Sequence, residues 1–205
     1  MPEPPPGGFL TRHLFEQPWI AAGLLGFLGA LVLWRALSSG ERRGQIVGAV
    51  LVALGLIAAL IGSIVTTPGE HAAATVRRFV AAVEAADQAA ALALLADNAT
   101  LSFERPENPP MPRSAIELAL RVVSTTQRIE SNRITHLRGY TLDRQTGIVH
   151  MACWTETASS MGNVPSQWVI RVTRREAPEG ERWQVARITC ISIAGRAPER
   201  RAFGI

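Results

Sequence analysis

A chain of 205 residues with a net charge of only +4, whose 21 basic side chains are all arginine, has room for one ordinary domain plus accessory sequence. From residue 70 onward arginines and acids are interspersed, without the basic stripe or interleaved aromatics that track a phosphate backbone, so no nucleic-acid partner is expected. The two cysteines, Cys153 and Cys190, lie in separate apolar, strand-like segments and read as small buried side chains rather than a disulfide framework.

Residues 1–16, MPEPPPGGFLTRHLFE, open on prolines and glycines that cannot build a packed element and are expected to form a flexible tail. Pro18 to Leu37 (PWIAAGLLGFLGALVLWRAL) is apolar except for Arg35. About 20 such residues at a rise of about 1.5 Å cross a hydrocarbon core of roughly 30 Å. Trp19 and Trp34 stand near its ends, where amphipathic rings prefer the headgroup level, and Arg35 can snorkel from the same interface. A cleaved signal peptide fits less well, because its apolar core runs only about 7 to 15 residues. The second run, Ile46 to Val65, carries no charge. Only SSGERRG separates the two, so an antiparallel transmembrane hairpin is predicted over residues 17–66, with spans at 18–37 and 46–65. Gly48, Gly55 and Gly62 recur at heptad spacing, and Ala58 with Gly62 makes a small-xxx-small pair. This narrow face matches Gly23, Gly26 and Gly29 of the first span. Arg35, Arg42 and Arg43 surround the turn, against Arg12 in the tail and Arg77 and Arg78 beyond the second span. Basic residues are retained in the cytoplasm, so the turn is predicted to be cytoplasmic and the soluble domain extracytoplasmic.

Thr66 to Glu70 (TTPGE) ends the hairpin on proline and glycine; a domain is predicted over 70–195, followed by an arginine-rich tail at 196–205. In its first helix Val76, Phe79, Val80 and Val83 fall on one face, and Asp87 then starts a second helix with Leu92, Leu94 and Leu95 turned inward. Asn98 to Phe103 reads as a short strand, RPENPPMP as a loop and Arg113 to Ile129 as a third helix. From Arg133 the pattern changes to period two with β-branched residues. Arg133–Leu142 and Ile148–Thr157 flank the turn DRQTG, and Gln167–Arg175 and Arg182–Ile193 flank EAPEGE. The predicted class is α+β, with three helices packed on one face of a mostly antiparallel sheet.

Arg78 to Phe103 carries a helix ending in Ala86-Asp87, a second ending in the run Leu94 to Asp97, and the strand start Ala99-Thr100-Leu101. With the loop and third helix that follow at Pro106 to Ile116, this resembles the opening of the nuclear transport factor 2-like superfamily, which includes the ketosteroid isomerases and polyketide-cyclase-like proteins. The resemblance extends in element order from about residue 72 to 195 and is specific over the first 30 or so. It implies a cone-shaped domain in which three helices close over a curved sheet, with a pocket at the wide end. Isomerase chemistry needs a tyrosine hydroxyl and a protonated carboxylic acid on the enolate oxygen, and an aspartate base. On the resemblance those positions fall on Phe79, on Trp168, and on Phe103 with Glu104 beside it. Three aromatic side chains there cannot run that reaction, so the resemblance implies the fold and argues against this chemistry.

His136, Tyr140, His150 and Glu156 occupy the first predicted hairpin. A three-residue turn puts all four on one face, where the family's dehydratases imply a proton relay of histidine, tyrosine and carboxylate. A two-residue turn separates them, since a one-residue slip inverts the side chains. The competing reading is a solvated outer-face set, and Glu104, before Arg105 and Pro106, reads as a surface charge. The candidate pocket-lining residues are Phe79, Phe103, Glu104, Tyr140, His150, Trp154, Glu156 and Trp168. No two of His13, His71, His136 and His150 have metal-ligand spacing, and no phosphate loop or nucleophile elbow occurs. No metal or cofactor is therefore expected, and no catalytic residue is assigned. Two functions remain. One is a non-catalytic binding or assembly module held at a membrane, as the resemblance implies from bacterial envelope and secretion proteins with N-terminal spans. The other is a dehydratase, isomerase or cyclase acting on an apolar, membrane-soluble molecule. The missing isomerase residues favour the first. Expected partners are the lipid bilayer, an envelope protein or an apolar small molecule, and a second copy of the chain.

Overall fold

The computed structural model of the chain describes residues 18–64, 66–158, 162–177 and 180–198; the predicted tail at 1–16 and most of that at 196–205 lie outside them. Two compact units part between Thr67 and Pro68.

The first unit is a pair of helices, α1 (Pro18–Ser39) and α2 (Arg42–Ile64), both long and apolar enough to cross a membrane. They run further into the connection than predicted: of SSGERRG only Gly40 and Glu41 stay outside them. Gly40 takes the left-handed conformation (φ 70°) that ends a helix within one residue. The Ser38 and Ser39 hydroxyls donate to the Arg35 carbonyl (2.8 and 3.0 Å), and the Glu41 N–H donates to that of Ala36 (3.0 Å), so the last turn keeps its hydrogen bonds. Small residues seven apart make the seam: Ala22, Gly29 and Ala36 on α1, Gly48 and Gly55 on α2, all buried. A Cβ on Gly48 would lie 2.6 Å from the Leu33 nitrogen, and one on Gly55 2.9 Å from the Gly26 nitrogen, so both stand against the backbone of α1. Gly29 meets Val52 in the same way, whereas Gly23 faces open space. Gly62, the third member of the stripe, lies outside the side chains described.

The second unit runs α3 (Pro68–Glu84), α4 (Gln88–Ala93), β1 (Leu95–Phe103), α5 (Arg113–Thr125), β2 (Ile129–Thr141), β3 (Thr146–Thr157), β4 (Asn163–Ala177) and β5 (Gly180–Ile193). It is an α+β unit whose five strands lie in the order β1-β5-β4-β3-β2. All neighbours are antiparallel except β1 and β5, which run parallel with Leu95 beside Val185 and Phe103 beside Cys190.

Several boundaries differ from expectation for identifiable reasons. Pro68 and Gly69 open α3 instead of interrupting the chain, because a first-turn proline lacks only an N–H that would be unpaired anyway. Gly69 also lets α3 start in contact with the β2–β3 hairpin: a Cβ on Gly139 would overlap the Gly69 carbonyl oxygen, and one on Gly147 would lie 2.5 Å from the Ala72 Cβ. Asp87 does start the second helix, its carboxylate accepting from the Ala90 N–H at 2.9 Å. That helix ends at Ala93, so Leu94 caps it and Leu95 belongs to β1. α5 stops at Thr125, where the Ser124 and Thr125 hydroxyls donate back to the Arg121 carbonyl (2.9 and 2.8 Å), and Ile129 already lies in β2.

Alternation divides the sheet into two faces. Val149, Met151 and Cys153 of β3, Trp168, Ile170 and Val172 of β4, and Val185, Ile188 and Cys190 of β5 turn toward the helices. Together with Val76, Phe79, Ile116 and Leu120 they make one core. Register shifts between Ile134 and His136, Gln167 and Trp168, and Arg171 and Val172 bend the strands around it.

Candidate functional site

The space expected between helices and sheet is occupied by aromatic side chains. Phe79 on α3 and Phe103 at the end of β1 are 7% and 8% exposed, and Trp168 of β4 packs against the same core. A string of neutral polar atoms lies beside Trp168, while the buried Trp183 Nε1 and Ser102 Oγ have no hydrogen-bond partner among the described residues. Trp168 Nε1 donates to Ser166 Oγ (2.8 Å), which lies 3.2 Å from Cys153 Sγ; that sulfur is 3.9 Å from Thr155 Oγ1, which donates to Asn132 Oδ1 (3.0 Å). This string contains no carboxylate and no imidazole, so nothing in it is suited to take up a proton near neutral pH. Burial pushes the pKa of the adjoining Cys190 thiol up, and Cys153 adds to the shift, so Cys190 stays protonated. Ser166 and Cys153 escaped the sequence reading because only the β3–β4 register sets them opposite each other.

Glu104 follows β1 with φ 67°, in the left-handed region. Its N–H donates to the Cys190 carbonyl (2.7 Å), and the residue itself is exposed. Glu104 therefore meets solvent rather than the core.

The first hairpin adopts the three-residue alternative. The Leu142 N–H donates to the Thr146 carbonyl (3.0 Å), enclosing Asp143, Arg144 and Gln145. Tyr140 then pairs with Ile148, Arg138 with His150 and His136 with Ala152, which places His136, Tyr140 and His150 on one face. The unbroken β3–β4 register adds Trp154 and Glu156 to it. This is the face turned away from the helices, since the intervening Gly139, Gly147 and Val149 are the residues that meet α3 or the core. The eight candidates thus separate: Phe79, Phe103 and Trp168 inside, Glu104 at the end of β1, and Tyr140, His150, Trp154 and Glu156 on the far side of the sheet.

On that far side the Tyr140 ring meets His150 edge-on, centroids 5.0 Å apart, and the Arg138 guanidinium stands 5.4 Å from the Tyr140 centroid. Glu156 Oε2 accepts from Ser131 Oγ at 3.2 Å. Burial, and after it the positive charge of His136, lowers the His150 pKa from its ordinary 6.5, favouring the neutral imidazole. Elsewhere the Arg175 guanidinium, hydrogen-bonded to Asp97, holds that carboxyl below its usual range. Arg113 joins the pair at 3.5 Å and donates to the Leu92 and Ala96 carbonyls (3.4 and 3.3 Å), tying the end of α4 to α5. A shallow hollow among α3, α4 and α5 is lined by Ala82, Val83, Ala91, Leu120 and Ser124, with Gln88 and with Asp87, whose carboxylate is taken up by the Ala90 N–H. No group of three or more metal-ligating side chains occurs among the described residues.

Neither a protein-family model nor a curated protein matches the sequence. The structural neighbours are nuclear-transport-factor-2-like and ketosteroid-isomerase-like proteins. The chain is similar to an NTF2-like protein of unknown function in nutrient uptake from Rhodospirillum rubrum, at 14% identity over 57% of this chain and 93% of that one, with a TM-score of 0.47. An NTF2-like protein from Cytophaga hutchinsonii is 12% identical over 58% and 92% of the two chains, with a TM-score of 0.45. For a ketosteroid isomerase-like protein from Erwinia carotovora the values are 19%, 58%, 92% and 0.41. These likenesses concern the fold and do not bear on function.

Proposed function

We propose that the chain is a membrane-anchored, non-catalytic binding or assembly module built on a nuclear-transport-factor-2-like domain. The observation that supports this reading is the filled interior: Phe79 and Phe103 are buried between helices and sheet, and Trp168 packs against the same core, where a substrate pocket would have to lie. The ionisable residues of the hairpin face the other way, so a substrate between helices and sheet would meet none of them. Anchorage is supported by α1 and α2, whose outward Phe27, Leu31, Ile46, Leu56 and Leu60 are exposed in numbers that water would penalise and lipid would not. On this reading the partners are the bilayer and a protein of the envelope. The exposed Arg35, Arg42 and Arg43 around Gly40 support a cytoplasmic turn and an extracytoplasmic domain.

Three measurements test the reading. The chain should stay in the membrane pellet through alkaline carbonate extraction; release into the supernatant would refute anchorage. A phosphatase that is active only outside the cytoplasm, fused after Ile205, should be active, whereas a fluorescent cytoplasmic reporter lighting up there would reverse the orientation. The purified full chain should isomerise a 3-oxo-Δ5-steroid no faster than buffer. Turnover that Glu104→Gln abolishes would make Glu104 a base and the protein an enzyme.

A further inference from the structure

The connection between α1 and α2 gathers the only charges of the hairpin. From residue 17 to residue 69 the ionisable side chains are Arg35, Glu41, Arg42 and Arg43, so three positive charges meet one negative and leave two in excess. All four are exposed, and none of the three arginines is in an ion pair among the described residues. The seam between the helices sets them at one depth. A Cβ on Gly44 would lie 2.7 Å from the Ala36 Cβ, and Gln45 Nε2 donates to the Ala36 carbonyl at 3.4 Å, so Ala36 and Gly44 stand opposite each other. Arg35 comes one residue before Ala36, and Arg43 and Arg42 come one and two before Gly44. In helices running in opposite directions these offsets are about 1.5 Å inward and about 1.5 and 3 Å outward, which brings the three within roughly 4.5 Å of depth. Trp34, 78% exposed, joins them at that level, where an amphipathic ring marks the boundary between hydrocarbon and headgroup.

We propose that this turn holds the phosphate of an acidic phospholipid, with Arg35, Arg42 and Arg43 as its donors. The proposal rests on the membrane reading and adds to it the class of lipid. Like charges at one depth repel one another, and beside a hydrocarbon layer they are screened less than in bulk water. Arg42 and Arg43 also open α2, at the end of a helix where the backbone dipole favours an anion over a cation. Glu41 offsets one charge of the three. A phosphate diester supplies a counter-charge from the membrane itself, and its two unesterified oxygens accept the forked N–H groups of a guanidinium in pairs. A zwitterionic lipid brings its own cation to the same place, so the site discriminates by the net charge of the headgroup. Residues 18–34 and 44–64 carry no charge, so the cluster addresses one leaflet only.

The test is fluorescence quenching, with the full chain reconstituted in phosphatidylcholine vesicles that contain a minor fraction of brominated lipid. Trp34 is read as the difference between each chain and its Trp34→Phe counterpart. At equal mole fraction, brominated phosphatidylglycerol should quench this signal with a selectivity of about fivefold or more over brominated phosphatidylcholine. The chain carrying Arg35→Gln, Arg42→Gln and Arg43→Gln should show no selectivity. In case the glutamines disturb the hairpin, high salt gives the same reading on the parent chain, whose selectivity should fall toward unity. Equal quenching by the two lipids, or a preference that survives both the glutamines and the salt, overturns the proposal. So does a preference abolished by dissolved glycerol phosphate, which would make a free phosphate ester the ligand. Carbonate extraction keeps this proposal apart from the anchorage it rests on: a parent chain that resists extraction and shows no selectivity loses the lipid preference and keeps the anchor, whereas a parent chain released by carbonate loses both.

Discussion

Replacing Gly139 with alanine asks how firmly α3 is seated on the sheet. Gly139 is not left-handed, so an alanine carries no backbone strain there and its cost is steric. The new methyl would overlap the Gly69 carbonyl oxygen and lie 2.7 Å from the Gly69 carbonyl carbon. Carbon atoms ordinarily stay about 3.5 Å or more apart, so the first turn of α3 must retreat by roughly 1 Å. Both obstructing atoms are backbone, and no side-chain rotation relieves the clash. The retreat pulls on Ala72 and Val76, each 0% exposed in the core. Overpacking of this kind costs about 1–3 kcal/mol, and a backbone obstruction belongs at the upper end. With an unfolding entropy of about 2.1 cal/mol/K per residue over roughly 130 residues, 3 kcal/mol lowers Tm by roughly 11 °C. Near-ultraviolet circular dichroism of the full chain in detergent, where Trp168 and Trp183 report on this unit, would follow the transition. A Tm within about 2 °C of the parent would refute the seating described here.

Gly55→Leu should force α1 and α2 apart at Gly26 and Ala22 and lower the thermal stability of the far-ultraviolet helical signal in detergent; superimposable melting curves would mean that this glycine does not hold the pair together. Because the His150 pKa is depressed in the folded chain, the unfolded chain takes up the proton first. The stabilisation is therefore intact above about pH 6.5 and is lost as pH falls through the folded-state value. As pH falls from about 6.5 toward that value the parent's Tm should drop faster than that of His150→Gln, and parallel curves would count against the buried neutral imidazole. Cys153 and Cys190 lie on strands separated by β4, a spacing of about 9–10 Å at usual strand distances and beyond disulfide reach. Both thiols should remain reduced under oxidising conditions and react with a thiol reagent only after denaturation; a diagonal gel showing a Cys153–Cys190 bridge would refute the register.

The two apolar runs were legible because membrane-length hydrophobicity needs no partner to be recognised, and their glycines proved to lie between them at Gly48 and Gly55. The class and element order were legible from the change of period near Arg133. Element ends were less so. Leu94 and Leu95 look helical in isolation, but β1 starts where Leu95 finds Val185, a partner far along the chain. The pair Gly69 and Gly139 is invisible as a contact until α3 is laid across β2. The hairpin face turned on the loop length, which two alternatives left open. Even with the three-residue loop chosen, nothing local states whether the face of His150 looks toward the helices. That depends on Val149, Met151 and Cys153 burying more apolar surface than Ile148, Ala152 and Trp154.

β5 is the last strand made and lies second in the sheet, between β1 and β4. β2, β3 and β4 can zip in sequence through short turns, but β1 has to wait for a partner roughly 90 residues downstream, Leu95 for Val185. During synthesis Leu101 and Phe103 have no sheet to enter until β5 is made. A chain cut before residue 180 would therefore not be a slightly smaller domain. It would be a three-stranded meander and a stranded β1, each showing an open row of peptide groups and an apolar flank, the kind of edge that recruits other chains. For this protein, premature termination is an aggregation hazard as much as a loss of function.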